Sequence, residues 1–589
     1  MLEKWMLRNI NADITNISKK LGISEVLCRV LLNRGIIDYE SAKIFINPDM
    51  KYMNNPELMK DNDNGTDIII DSINKNEKIA IIGDYDVDGV ISIYILYKAL
   101  KRLGADVIYE IPHRINDGYG ININIIDRVI QEGVSTIITC DNGISAIEPI
   151  EYAKNRGIKV VITDHHDVPF EDDENGKRKY IKPCADAIIN PKQEDCSYPF
   201  KGLCGAGVAY KFIELLYKKR GIDRKEIESF IEFVAIATVC DVVDLIGENR
   251  IIVKKGLEII NNTQNIGLKE LIKESGLDGR SITTYHLGFI IGPCINATGR
   301  LDVAKRGVEL FLTGDKEEAV KISKELVELN QERKNMTVKG VRDVLEEIES
   351  SDLKKDNILV VYNAQIHESI AGIIAGRVKE IYNKPTIILT DGEDCVKGSG
   401  RSIDSYNIFE GLLRCRDILI KFGGHPLAAG LSIEKSKIDV LREKLNSDSN
   451  IAEDDLVRKI YLDMQLPLSE ITIELAQELK LLEPYGKSNE KPLFAEKNVK
   501  ILRAMKLGEK GNVLKLKLHC GNNKVALDGL YFGEIDKFED YIINKFGIKE
   551  LEKLYKGIQN DIMIDIAFNI DINEYMGFKS VNLIIQNYR

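Results

Sequence analysis

At 589 residues the chain exceeds what one hydrophobic core supports, so three or four domains are expected. A formal net charge of −11 excludes a nonspecific coat for duplex nucleic acid and leaves only a local basic groove for such a partner. No apolar run reaches about 18 residues and Met1-Leu2-Glu3-Lys4-Trp5 lacks a signal core, so a cytoplasmic protein without a membrane span is expected. The ten cysteines are scattered with no Cys-x-x-Cys, which argues against a thiolate zinc site or a disulfide framework.

Residues 1 to 66 read as a helical segment. Ile23-Ser24-Glu25-Val26-Leu27-Cys28-Arg29-Val30-Leu31-Leu32 has helical apolar spacing after a serine start signal and stops at Arg34-Gly35. Strand-like runs then alternate with helical ones: Lys78 to Gly83, Asp106 to Pro112, Thr136 to Cys140, Lys159 to Thr163 and Ala185 to Asn190. That alternation predicts a doubly wound parallel sheet within an α/β domain over 67 to 315. The apolar helix from Glu226 to Thr238 delivers Asp241 at its end. A long charged helix, polar on most faces, spans 316 to 350 and bridges domains. A smaller α/β domain follows over 351 to 455, with strands at Ile358 to Tyr362 and Thr386 to Leu389. Short strands such as Val499 to Met505, Val513 to Leu518 and Val525 to Phe532 suit a small β-barrel within 456 to 589.

Three of the buried runs end in chemistry. Lys78 to Gly83 runs into Asp84-Tyr85-Asp86-Val87-Asp88-Gly89, Thr136 to Cys140 into Asp141-Asn142-Gly143, and Lys159 to Thr163 into Asp164-His165-His166-Asp167. Ligands of open α/β sheets collect at the carboxyl ends of strands, so these tips face one crevice. Asp86, Asp88, Asp141, His165, His166 and Asp241 offer hard oxygens with some imidazole nitrogen, which suits Mn²⁺ or Mg²⁺ better than zinc. Two such ions roughly 3.5–4 Å apart generate a hydroxide and stabilise both oxygens of an in-line phosphoryl displacement. Asp141 is the natural bridge. Singly, an aspartate after a strand is more often an N-cap and an Asp-Gly pair a turn; the cluster carries the reading.

Asp84 to Gly89, Cys140 to Gly143, Asp164-His165-His166 and Ala237 to Asp241 resemble, in order and spacing, the four motifs of the DHH phosphoesterase family. The resemblance covers essentially the whole chain in the family's single-strand-specific exonucleases, through Leu31-Leu32-Asn33-Arg34-Gly35-Ile36, Gly205 to Lys211, Asn296-Ala297-Thr298-Gly299-Arg300-Leu301 and Gly423 to Gly430. It implies Asp86, Asp88, Asp141, His165 and Asp241 as ligands of two Mn²⁺ or Mg²⁺ ions, and His166 with Asp141 and His165 as the catalytic groups. Asp84 and Asp164 would orient them from behind. Substrate contacts are implied for Gly423, Gly424 and His425, for Ser399 and Arg401 at the terminal phosphate, for Arg114 beside His113, and for Arg300 and His367. His286 and His519 are assigned to structure.

The barrel resembles the family's OB-fold, in which Lys506, Lys510, Lys515, Lys517, Tyr531 and Phe532 could hold a strand, although edge lysines also guard against aggregation. Two departures stand out. Cys294 occupies a position where the family usually has arginine, and Ser488 and Glu490 replace glycine and proline. The function implied is release of mononucleotides from the 5′ end of single-stranded DNA in repair and recombination. The implied partners are single-stranded DNA and a single-strand-binding protein or RecQ-type helicase, with no membrane, for a monomeric chain. The alternatives are a DHH phosphodiesterase acting on short RNA or dinucleotides, and a non-catalytic single-strand-binding scaffold. Removal of residues beyond about Asn489 is expected to leave cleavage of short oligonucleotides.

Overall fold

The computed structural model describes residues 3–10, 13–113, 120–172, 178–301, 304–508, 511–521, 526–575 and 577–589. They form two compact units: Asn54–Val243 with Lys255–Arg458, and Glu3–Met53 with Asp244–Lys254 and Lys459–Arg589. Among the described residues no helix is long and apolar enough to cross a membrane.

The first unit opens on strands β1 (Lys78–Ile82), β2 (Val107–Glu110), β3 (Val134–Cys140), β4 (Lys159–Thr163) and β5 (Ala187–Ile189). All pair in parallel, in the order β2-β1-β3-β4-β5. Ile79 to Ile82, Ile137, Ile138 and Val160 to Ile162 are inaccessible to solvent, as strands covered by helices on both faces require. The covering helices include α1 (Val87–Arg102), α2 (Ile123–Gln131), α3 (Ile147–Asn155), α4 (Gly205–Lys219) and α5 (Ile231–Cys240). The strand order reverses between β1 and β3, and a crevice opens at their carboxyl ends at such a switch point.

Helix α6 (Lys316–Ser350), roughly 52 Å long at 1.5 Å per residue, follows. Although the sequence reads as polar on most faces, Ala319, Ile322, Leu326, Asn330, Thr337, Gly340, Val344 and Ile348 form a buried stripe along its whole length. Polar Asn and Thr and the bare Gly340 conceal that stripe in the sequence. A Cβ at Gly340 would lie 2.5 Å from Ile374 Cδ1, so the glycine permits close helix packing. The second sheet has strands β6 (Leu359–Tyr362), β7 (Thr386–Asp391), β8 (Val396–Arg401), β9 (Leu419–His425) and β10 (Ala428–Ile433), in the order β9-β10-β8-β7-β6. Only β6 and β7 run in parallel. Helix α7 (Glu368–Tyr382) covers one face, burying Ile370, Ile374 and Val378 with Val361 and Ile388.

The second unit contains β11 (Phe494–Leu507), β12 (Val513–His519), β13 (Ala526–Tyr531), β14 (Met563–Tyr575) and β15 (Phe578–Tyr588). They pair as β11-β12-β13-β15-β14, and β14 pairs again with β11. Irregularities at Glu496/Val499 and Ile501/Arg503 bend the 14-residue β11 so that it serves both neighbours.

The helical segment expected over 1–66 is divided. Glu3–Leu7 is a strand paired with Arg458–Leu462, and Leu27, Val30, Leu31, Ala42 and Phe45 join Leu466, Leu475, Leu482 and Phe494 in one core. Buried Arg250 stitches that core, donating to the carbonyls of Phe45, Leu481, Leu482, Glu483 and Pro484. A cut at Asn489 therefore runs through a shared core rather than between domains.

Candidate metal centre and basic pocket

Each strand tip presents its carboxylate for a local reason. Asp86 Oδ1 accepts from the N–H groups of Asp88 and Gly89, so the residue caps α1 while its other oxygen stays available. A Cβ at Gly89 would lie 2.4 Å from the Asp84 carbonyl oxygen, which only glycine permits. Asp88 is buried, and its two oxygens accept from Gly205 N at 2.6 Å and Ala206 N at 2.8 Å, the positive end of α4. Asp141 leaves β3 at φ +58°, a left-handed conformation of the kind that clusters at functional sites. Asp241 caps the C-terminus of α5.

These groups converge on His165. Its Nε2 lies 3.1 Å from Asp141 Oδ1, 3.7 Å from Asp88 Oδ2 and 3.8 Å from Asp241 Oδ2. Ligand atoms of Asp84, Asp86 and Asp141 also lie within 4.8 Å of one another, as do those of Asp141, His165 and His166. His165 Nε2 and Asp241 Oδ2 are buried without a hydrogen-bond partner. An orphaned buried imidazole nitrogen and carboxylate oxygen are costly unless a cation satisfies them, so the donor set fits a hard divalent ion. Asp164 faces away. It accepts from the backbone of Ile144, His165 and His166 and from His166 Nδ1 at 2.8 Å, which fixes both histidines.

Proton affinities follow from this crowding. Burial, reinforced by Asp88 and its neighbours, holds the Asp141 carboxyl well above the carboxylate range; burial and Asp86 raise Asp88, and burial with Asp88 and Asp86 brings Asp241 to about 8. Burial would raise Asp164 as well, but the His166 hydrogen bond and charge bring it to about 2. Burial lowers His165, whereas His166, against its burial, is raised to about 9 by Asp164.

The raised carboxyls bind protons more tightly folded than unfolded. Their contribution to stability is therefore present below their unfolded values of about 4 and is lost as pH rises through the folded values, to about 8 for Asp241. His166 acts in the same sense, losing its contribution as pH rises through about 9. Divalent ions held by these carboxylates would replace the carboxyl protons. Thermal melts should thus show the stabilisation by Mn²⁺ over chelator growing between about pH 6 and about pH 8.5, and a constant offset would contradict the assignment.

A second feature adjoins the centre within the same unit. Ser399 and Arg401 of β8, Glu368, Ser369, Arg377 and Glu380 of α7, and Arg300 line a pocket of about 360 Å³ in which three arginines outnumber two glutamates. Arg300 Nη1 donates to the Ser369 carbonyl at 2.6 Å. A Cβ at Gly372 would lie 2.8 Å from both Ser399 Oγ and Arg401 Nη2, so this glycine keeps the pocket open. A neighbouring space of about 700 Å³ is lined by Tyr85, Lys397, Ser399, Lys421 and Gly423. The motif from Asn296 to Leu301 connects pocket and centre: Asn296 Oδ1 accepts from Val87 N at 3.0 Å, and a Cβ at Gly299 would lie 2.3 Å from the Tyr85 carbonyl oxygen.

Residues 78–238 match the model of the DHH family N-terminal domain, residues 355–448 that of the DHHA1 domain, and residues 462–587 that of the RecJ OB domain. The single-stranded-DNA-specific exonuclease RecJ of Bacillus subtilis is 33% identical over 589 residues, covering 99% of this chain and 70% of that protein. Its Escherichia coli counterpart is 31% identical, covering 88% of this chain and 89% of that protein. The chain belongs to the RecJ family. Among solved structures, RecJ from Thermus thermophilus in complex with Mn²⁺ superposes with a TM-score of 0.81 at 24% identity, over 100% of this chain and 79% of that one. A manganese-bound exonuclease RecJ gives 0.58 at 27% identity, over 67% of this chain and 96% of that one.

The other site expectations for this RecJ-family chain fare unevenly. Arg114 lies outside the described residues, as does Lys510. Gly423, Gly424 and His425 form part of edge strand β9 rather than a loop. Gly424 sits at φ +146° with the Ala428 carbonyl oxygen 2.3 Å from where a Cβ would be, while Gly423 faces open space. His367 caps α7, its Nδ1 2.7 Å from Ser369 Oγ, so that Glu368 and Ser369 rather than His367 line the pocket. Cys294 is buried with its Sγ 3.3 Å from Asn330 Nδ2, on the side of its helix that packs on α6. Ser488, standing where the family has glycine, takes φ +61° and donates to Asp244 Oδ1 at 2.8 Å. In the barrel unit Lys506 pairs with Glu539 at 2.7 Å, and Lys515 and Lys517 both pair with Asp528 at 2.9 Å, which neutralises much of the expected basic groove. Tyr531 packs edge-on against Tyr588, and Phe532 is exposed. Sequence reasoning missed Tyr85 and Arg377. The Gly372 and Gly376 pair, one helical turn apart and facing β8, was the signal for the latter.

Proposed function

We propose that this chain is a metal-dependent exonuclease that releases mononucleotides from the 5′ end of single-stranded DNA. The observation that carries the reading is the buried His165 Nε2, without a hydrogen-bond partner and facing the carboxylates of Asp141, Asp88 and Asp241. Asp86, Asp88, Asp141, His165 and Asp241 would hold two Mn²⁺ or Mg²⁺ ions, with Asp84 and Asp164 orienting them from behind. When bound, these ions would supply Lewis acidity and an activated water for in-line displacement at phosphorus. Asp88 is prevented from turning away by two N–H groups of α4. His166, kept protonated and oriented by Asp164, donates to the scissile phosphate where negative charge builds. Arg401, Ser399, Arg300 and Arg377 bind the terminal phosphate, guanidinium matching it in two-pronged fashion. That pocket fixes the position of the chain end and hence the removal of one nucleotide at a time. The same reading carries a monomer in the cytoplasm, working with a single-strand-binding protein or RecQ-type helicase in repair and recombination.

Degradation of matched end-labelled DNA and RNA strands in Mn²⁺, Mg²⁺ or chelator tests the proposal. Labelled mononucleotide is expected from DNA with either ion and none with chelator. Turnover confined to RNA or dinucleotides would assign the chain to a different DHH activity, and no turnover at all would favour a binding scaffold. Replacing Arg401 by Ala should raise KM about tenfold and erase the preference for a 5′-phosphorylated end, with Mn²⁺ binding unchanged. Lys there should restore only part of the effect. Equal kinetics on phosphorylated and hydroxyl ends, in both wild type and variant, would assign Arg401 another task.

A further inference from the structure

We infer that Tyr285 and Phe289 form a stacking platform for unpaired bases of the strand, an inference that rests on the nuclease reading above. Thr284 to Leu301 is one continuous helical run interrupted by a π-helical turn at Leu287–Ile291. Such turns recur at functional sites. Leu287 and Ile291 are buried, yet Tyr285 and Phe289 are 61% and 67% exposed, and their rings stack at 5.1 Å with 26° between planes. Two large rings held in water one turn apart gain from any flat apolar partner that covers them.

Their location identifies that partner. The π turn packs on the end of α5: Cys240 Sγ lies 3.5 Å from the Leu287 carbonyl oxygen, and a Cβ at Gly292 would lie 2.2 Å from Cys240 Sγ. The next residue, Asp241, belongs to the metal centre. Tyr285 lies before the π turn and Phe289 within it, in the same helical run that carries Asn296 and Arg300 after it. Arg300 lines the basic pocket, Asn296 holds the turn that carries Asp86 and Asp88, and the rings follow. A strand with its terminal phosphate at Arg300 would thus pass the metal centre before it reached Phe289. The distance from Arg300 to Phe289 is roughly 16 Å at 1.5 Å per residue, the length of about five stacked nucleotides at 3.4 Å each. Aromatic rings bind every unpaired base because each has a π face, whereas a duplex hides those faces.

The test uses the full chain with Tyr285→Ala and Phe289→Ala combined. With Mn²⁺, KM for a 5′-phosphorylated strand of about 20 nucleotides should rise about tenfold at unchanged kcat, and kinetics on a 5′-phosphorylated dinucleotide, too short to reach the rings, should not change. Removing the bases about five nucleotides from the end should weaken binding to wild type but not to the variant, and Tyr285→Phe with Phe289→Tyr should behave as wild type. An unchanged KM on the long strand, or an equal loss on the dinucleotide, would overturn the platform. If the wild type hydrolyses no strand, the nuclease reading fails instead. Fluorescence anisotropy of a labelled strand on the chelated protein then decides, a tenfold loss in the variant supporting the platform and equal affinity overturning it.

Discussion

Asp141→Ala should abolish hydrolysis, by at least about 10²-fold, and leave a folded protein. The carboxylate stands 3.1 Å from His165 Nε2 and within ligand distance of Asp84 and Asp86, so its loss removes the group shared by both halves of the centre. The fold should survive because the native carboxyl is crowded: burial and four neighbouring aspartates raise its proton affinity. Removing it relieves repulsion in the chelated protein, offset by about 1 kcal/mol for placing alanine at φ +58°. In thermal melts the variant should match the chelated wild type but gain little from Mn²⁺. Near-wild-type turnover in a folded Asp141→Ala protein would remove the basis for a two-ion centre.

Gly205→Ala should be nearly as damaging, although glycine has no functional group. A Cβ there would lie 2.6 Å from Asp141 Cβ and 2.8 Å from its Oδ1, and the Gly205 N–H is one of the two that hold Asp88. Either Asp141 or the start of α4, whose N–H groups hold Asp88, must move. The expected loss is about 10²-fold in kcat with weakened Mn²⁺ binding, while the buried Val208, Phe212 and Leu216 keep α4 in place. Gly207→Ala is the control. The nearest atoms to its Cβ would be those of the Leu203 side chain, from 3.2 Å, and turnover should fall little. Equal activity in both variants would show that Gly205 is present for helix packing alone.

The convergence of the carboxylates and histidines was legible because β1, β3 and β4 are uninterrupted apolar runs whose tips carry them, and the parallel order places those tips together. What each carboxylate leans on was not. Asp88 is held by the start of α4, more than a hundred residues away, and no local pattern encodes that contact. Tyr85 escaped notice because it lies in an irregular turn, where neither strand nor helix period says which way a side chain points. The orientation of Cys294 was hidden by the π turn at Leu287–Ile291, which shifts the helix phase before it. The lysines of β12 read as a basic groove because their pairing with Asp528 depends on cross-strand register. The joining of Glu3–Met53 to the barrel core likewise rests on contacts across more than four hundred residues.

The most direct test of the central claim is a time course on one single-stranded DNA, 5′-phosphorylated and labelled at its 5′ or its 3′ end, alongside its blunt duplex, with Mn²⁺ or chelator. The 5′ label should appear at once as mononucleotide and the 3′-labelled strand should shorten progressively, only with Mn²⁺ and much faster than the duplex. Release that persists in chelator, internal cuts without terminal mononucleotide, or a duplex degraded as fast as the single strand would contradict a two-ion centre that works from a bound 5′ end.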